Sequence, residues 1–282
     1  MKEQFYLEHI VGVIGKNISS DPSAVIYNAA FASLGLDDWR CVMLPVDADK
    51  LEDAIRGLRA FKTLRGFSCL APHTVEVMKY LNVIENHAKR IGAVNVITDF
   101  GDYSVGDNTS GKGFMMSLAE NGVSVAGKRI VVLGAGGTAR AICVELGFAG
   151  AAEITVVNRS RSRAEQLLEV LREHTGVQAN FVEWCGTYSI PKGTDIVVNA
   201  TPVGLYPKIE EMPDVDTDSF GTTMFVQDTI PSPLDTMLIR EMRSRKIPCA
   251  TGAGMLINQA ALNVKLWSGL EPDKNVMYKA LT

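Results

Sequence analysis

Residues 129–141 read RIVVLGAGGTARA, an apolar strand that runs into a glycine-rich turn and then into a helix opened by small residues. Gly134-Ala135-Gly136-Gly137-Thr138-Ala139 fits the pattern G-x-G-x-x-A. Gly134 supplies the tight turn, and Gly136 lets backbone N–H groups approach a pyrophosphate at the helix N-terminus. Ala139 keeps helix and strand close. Gly134, Ala135, Gly136 and Gly137 are therefore candidate cofactor-binding residues. Strand, turn and helix in this order also limit the fold, because such a unit is at home in a parallel sheet covered by helices.

The rest of the chain repeats that grammar. Strand-like runs occur at 9–15, 41–46, 129–134, 153–158, 195–200 and 224–228, and amphipathic stretches at 48–62, 74–89, 138–148, 161–174 and 234–245. Short apolar strands spaced by helices of that length predict an α/β protein built from βαβ units. The segment 206–221, acidic and Pro-containing, is expected to be a surface loop. A helix-like stretch at 111–122 precedes the glycine unit and marks a boundary. The expected division is a substrate-binding α/β domain over 1–106, a Rossmann-type nucleotide domain over 107–254, and terminal helices over 255–282 that return to the first domain.

At 282 residues the chain can bury two cores. A formal net charge of −4, with no long basic run, argues against nucleic acid or an anionic membrane as partner. No apolar run reaches the roughly 18–20 residues that cross a bilayer, and the N-terminus does not read as a signal peptide, so a cytoplasmic location is expected. The five cysteines, at 41, 69, 143, 185 and 249, are scattered without a CxxC, which predicts buried free thiols. No metal-ligand spacing is apparent, and no metal is expected.

The strand after the glycine unit ends in EITVVNRSRSRAEQ. NAD sites commonly place an acidic residue about 20 residues beyond the turn, on the ribose 2′-OH. Here Asn158, Arg159, Arg161 and Arg163 stand there instead, and Arg159 and Arg163 suit a 2′-phosphate. The alternative is a solvated basic helix start, which is electrostatically unfavourable at a helix N-terminus. NADP is the expected cofactor. A later strand end, VVNATPVG at 197–204, offers Asn199 and Thr201 to ribose or phosphate, with Gly204 for a sharp turn.

Taken together, YNAAF (27–31), GAVN (92–95), GDNTSGKGF (106–114), VLGAGGTARAI (132–142), VNATPVG (198–204) and GAGMLINQAA (252–261) resemble the shikimate dehydrogenase family across most of the chain. The resemblance implies a substrate domain, an NADP domain of Rossmann type, terminal helices packing on the first domain, and an active site in the cleft between domains. It also implies that Asn95, Asn108 and Gln259 contact substrate and that Met255 lies by the cofactor.

Four departures accompany the likeness. The family holds a lysine and an aspartate responsible for the hydroxyl proton while hydride passes to the nicotinamide. Its segment G-x-N-V-T-x-P-x-K appears here as GFSCLAPHT, so Thr74 stands at the lysine position. Its N-T-D-G-x-G appears as Asn108-Thr109-Ser110-Gly111-Lys112-Gly113, so Ser110 stands at the aspartate position. The family's S-x-S, which grips the substrate carboxylate, aligns with Asp21-Pro22-Ser23, and Tyr27-Asn28 replaces a His-Asn pair. Ser19 and Ser20 remain as alternatives should that alignment slip. Finally, Pro231 replaces the tyrosine of D-x-x-Y-x-P.

An aspartate would repel a substrate carboxylate. Threonine and serine hydroxyls are poor unassisted bases. His73, Asp107, Lys112 and Tyr27 lie on site-forming segments as other groups to weigh.

These losses fall on the substrate side. The expectation is an NADP-dependent oxidoreductase acting on a polar cyclic or polyhydroxy small molecule, with poor or no activity on shikimate. The alternative is an NADP-binding, catalytically silent sensor or partner-binding protein. A small-molecule substrate and a monomer or homodimer are expected.

Overall fold

The structure is a computed structural model that describes residues 7–281. The chain divides into two compact units, one running to Thr109 and resuming at Ile257, the other spanning Ser110–Leu256.

The first unit is built on a six-stranded sheet. Its strands are β1 (His9–Gly15), β2 (Trp39–Pro45), β3 (Leu64–Cys69), β4 (Val83–Ile84), β5 (Val96–Asp99) and β6 (Ser104–Asp107), in the order β2-β1-β3-β5-β6-β4. β1 pairs in parallel with β2 and β3, and β5 is antiparallel to both β3 and β6. Helices α1 (Ser23–Ser33), α2 (Leu51–Leu58) and α3 (Asn86–Ile91) join them. Ile14, Leu51, Ile55, Phe67, Val94 and Ile97 form the buried core.

The second unit opens with α4 (Ser110–Glu120) and continues through β7 (Arg129–Leu133), α5 (Gly137–Phe148), β8 (Glu153–Asn158), α6 (Arg161–His174) and β9 (Gln178–Glu183). After β10 (Tyr188–Ser189), β11 (Ile196–Asn199), β12 (Val215–Asp216) and β13 (Phe225–Asp228) come α7 (Met237–Ser244) and β14 (Cys249–Ala250). The main sheet is parallel, with order β14-β13-β11-β7-β8-β9, while β10 and β12 form a separate two-stranded ribbon. α8 (Ala253–Ser268) and α9 (Lys274–Leu281) end the chain, and α9 packs against α1. No helix among the described residues is long and apolar enough to cross a membrane.

The α/β fold with a parallel nucleotide-type sheet is the one the sequence predicts. One stretch differs. The amphipathic run 74–89 is not a single helix. It folds as a short turn of helix at Glu76–Tyr80, then β4, then α3. The cause is tertiary. Asn82 Oδ1 accepts from the Ser104 N–H (3.0 Å), and Val83 and Ile84 pair with Val105 and Gly106. Among the cysteines, Cys41, Cys69 and Cys143 are buried, but Cys185 is exposed and Cys249 half-buried. Burial pushes the Cys69 thiol up to about 12.

Candidate active site

In the second unit the sheet order reverses at β7, which has β8 and β9 on one side and β11, β13 and β14 on the other. Ligands of open parallel sheets bind outside the strand carboxyl ends at such a point. A cleft of about 540 Å³ lies there, lined by Gly134, Ala135 and Gly136 after β7 and by Asn158, Arg159 and Arg163 after β8.

Gly134 has φ +110°, and a Cβ on it would come 2.8 Å from the Ala200 carbonyl oxygen, so the turn admits only glycine. A Cβ on Gly136 would meet nothing within 4 Å and would instead project into open space. That open cradle at the N-terminus of α5, with two guanidinium groups beside the next strand end, fits a dinucleotide pyrophosphate and a 2′-phosphate. Asn158 Nδ2 donates to the Ser160 carbonyl (2.8 Å), which fixes the turn that presents the arginines. Arg161 is not part of the cleft lining. It pairs with Glu183 (2.9 Å) and lies over the Phe181 ring, 5.1 Å from its centroid. Gly137 opens α5 behind Gly136.

Thr201 lines the cleft, whereas Asn199 is fully buried behind it. Asn199 Nδ2 donates to Asp228 Oδ1 (3.0 Å), its register partner on β13, and Asn199 Oδ1 accepts from the Thr201 hydroxyl (2.7 Å). Asp228 also accepts from the Thr236 hydroxyl (2.7 Å) and the Ile230 N–H (3.0 Å). Burial raises its carboxyl above the usual range against these bonds. Asn199 therefore braces the strand ends under the cleft. Met255 is buried on α8. Sequence reasoning missed Trp184, Gly186, Glu211, Met212 and Asp214, which also line the cleft. They lie just after β9 and in the loop before β12, and the pairing of Tyr188 with Val215 and Ser189 with Asp216 helps bring them together.

In the first unit, Asp21 lies at the turn into α1, where its Oδ1 accepts from the N–H of the buried Ser23 (2.9 Å). Burial pushes the Asp21 carboxyl up, opposed by its bonds with Ser23, and its charge is felt by Tyr27 and Cys41. The Tyr27 hydroxyl is buried and accepts from Asn263 Nδ2 (2.7 Å). Asn263 Oδ1 in turn accepts from the Thr109 hydroxyl (2.6 Å). Asn95 Oδ1 accepts from the Thr109 N–H (2.8 Å), and Asn95 Nδ2 donates to the Thr109 hydroxyl (3.2 Å). Asn108 Nδ2 donates to the Ala93 carbonyl (2.9 Å). Tyr27, Asn95, Thr109 and Asn263 thus form one buried chain of polar groups, while Gln259 is buried one turn earlier on α8.

Thr74 is half-buried, and its carbonyl accepts from the Val94 N–H (2.8 Å). His73 is 1% exposed, and its Nε2–H donates to the Val46 carbonyl (2.8 Å), which makes it an anchor of the loop after β3. Ser110 is buried at the start of α4, in the second unit. At the sheet's edge Glu8, His9 and Asp38 place ligand-type atoms within 4.8 Å of one another. Arg65 Nε donates to His9 Nδ1 (2.6 Å), however, and His9 Nε2 lies 3.3 Å from Asp38, so both imidazole nitrogens already have protein partners.

Residues 13–97 match the model described as shikimate dehydrogenase substrate binding domain, 117–209 that for shikimate/quinate 5-dehydrogenase, and 252–282 that for the shikimate 5′-dehydrogenase C-terminal domain. A shikimate dehydrogenase (NADP(+)) of Symbiobacterium thermophilum is 38% identical over 96% of this chain and 92% of its own. The chain belongs to the shikimate dehydrogenase family. Among solved structures, the ligand-free 5-ketofructose reductase of Gluconobacter sp. strain CHM43 is similar at 38% identity and TM-score 0.87, covering 97% of both chains. A shikimate dehydrogenase solved in complex with NADP+ follows at 36% identity and TM-score 0.87, covering 97% of this chain and 94% of that one. The shikimate dehydrogenase of Methanocaldococcus jannaschii is 37% identical over 96% of this chain and 95% of its own.

Proposed function

We propose that this chain is an NADP-dependent oxidoreductase of CH–OH groups whose substrate is a polar cyclic or polyhydroxy small molecule other than shikimate. One observation carries the reading. The cofactor cleft keeps its glycine cradle and paired arginines, while Thr74 and Ser110 stand where the family's proton-handling pair is expected. Bound NADP supplies the hydride acceptor at nicotinamide C4 in one direction and, reduced, the donor in the other.

The chain's own groups define what the substrate must be. Asp21 is a half-buried carboxylate at a position the resemblance assigns to gripping a carboxylate, so a negatively charged substrate is repelled there. A neutral polyol or ketose instead donates its hydroxyls to Asp21. The likeness to a 5-ketofructose reductase supports a polyhydroxy ketone of this kind. The loss of an acid/base pair costs about 10²–10⁴-fold on a substrate whose proton that pair would carry. Such a loss also suits the second reading, a protein that binds NADP and turns nothing over.

Titration with NADPH, followed by its fluorescence, checks cofactor binding. Absorbance at the nicotinamide band then follows turnover with shikimate, with neutral polyols and with keto sugars. Oxidation of a polyol or reduction of a ketose, with shikimate slow, is the expected result. Shikimate turnover at roughly 1–10³ s⁻¹ sinks the substrate claim, and NADPH binding without turnover of any of them favours the silent reading.

A further inference from the structure

The cleft of the second unit has one large aromatic wall. Trp184 is the first residue after β9, half-buried, and it packs against a buried core that includes Leu133, Val157 and Val197 while also lining the cleft. Its position is held from outside. The indole Nε1–H donates to the Asp214 carbonyl (3.1 Å), and the same carbonyl accepts from the Tyr188 N–H (2.9 Å). The Thr187 hydroxyl donates to Asp214 Oδ1 (2.8 Å), and pairing of β10 with β12 locks the returning loop in place. The indole's only polar atom is thereby spent. What the ring still offers the cleft is apolar aromatic surface.

The sheet order says what that surface meets. The pyrophosphate cradle follows β7 and the two arginines follow β8, so a bound dinucleotide runs from β7 towards β9. By this order the base attached to the arginine-held ribose would fall one strand further out, beside Trp184 just after β9.

We infer that Trp184 is the stacking wall for the adenine of the dinucleotide, and that it sets much of this chain's affinity for the adenosine half of the cofactor. The inference rests on the cofactor assignment above but not on any turnover. A base stacked on an aromatic side chain loses roughly 5- to 150-fold in binding when that side chain is cut to alanine.

The experiment uses the full chain and the fragment 2′,5′-ADP, which carries adenine and the 2′-phosphate but no nicotinamide. Calorimetry with NADPH and with 2′,5′-ADP is expected to show the same fold-loss for both ligands in Trp184→Ala, within the range above, and near wild-type affinity in Trp184→Phe. Saturating 2′,5′-ADP is expected to quench tryptophan emission in the wild type, and that quenching is absent from Trp184→Phe. Equal affinity of Trp184→Ala and wild type for 2′,5′-ADP overturns the inference, as does undiminished quenching in Trp184→Phe. The phenylalanine variant keeps the test open should the alanine variant fail to fold. A wild-type protein that binds neither ligand overturns the cofactor assignment instead.

Discussion

A methyl group on Gly136 would meet no protein atom within 4 Å, and the backbone there, at φ −83° and ψ −173°, is open to any residue. Folding therefore has no need of glycine at this position. On the proposed cofactor reading the reason for it is the ligand, whose phosphate would come against the backbone N–H groups that open α5. Gly136→Ala is expected to leave thermal stability unchanged or slightly higher, by about 0.4–1 kcal/mol through the unfolded chain. Its affinity for NADPH should fall by an order of magnitude or more. Melting curves and NADPH titration on the same preparation check both halves. Gly134 gives the opposite outcome, since its left-handed backbone and the Ala200 carbonyl 2.8 Å from a Cβ make alanine there costly to the fold itself. Two glycines two residues apart are thus expected to serve different purposes, one the proposed ligand and the other the turn.

The buried polar chain in the first unit ties α1 to α8 and to the loop before α4. Tyr27 on α1 and Thr109 in that loop both bond the Asn263 side chain on α8. Tyr27→Phe removes an acceptor and leaves Asn263 Nδ2 buried without it, a cost of about 1–3 kcal/mol. Asn263→Leu removes the other end. Chemical denaturation of both single variants and the double variant is expected to show a coupling of about 0.5–3 kcal/mol, because the second change loses nothing already lost. Additive costs would mean that the two side chains do not depend on each other.

The same scale explains what the sequence could and could not disclose. β7, its turn and α5 were legible because their signals are local, a strand run, glycines and small residues in order. The place of Arg159 and Arg163 in the cleft lining was legible for the same reason, since both follow closely after β8. The stretch 74–89 was not, because its helical periodicity yields to the pairing of Val83 and Ile84 with β6. Trp184 was likewise illegible as a cleft residue. Nothing within its own segment announces that the β10–β12 ribbon will carry Asp214 to its indole N–H.

At the scale of the whole chain, the positions on which the proposed specificity rests divide between the two units. Asp21 and Thr74 belong to the first, and Ser110 opens the second. The roles these positions invite also differ in kind. In the proposed reading Asp21 would bear on binding, since a negative charge disfavours an anionic substrate in ground state and transition state alike. Thr74 and Ser110 would bear on the proton that leaves as hydride is transferred. Kinetics separates the two. With NADP saturating and shikimate as substrate, Asp21→Ser is expected to lower KM with little change in kcat. Thr74→Lys with Ser110→Asp is expected to raise kcat by about 10²–10⁴-fold, while either substitution alone recovers little, because an acid/base pair acts as a unit. The triple variant should then combine the lower KM with the higher kcat. If all variants bind NADPH as the parent does and shikimate turnover stays at background, the substrate pocket differs from the family's in shape as well as in charge. The claim that three side chains account for the altered specificity would then be wrong.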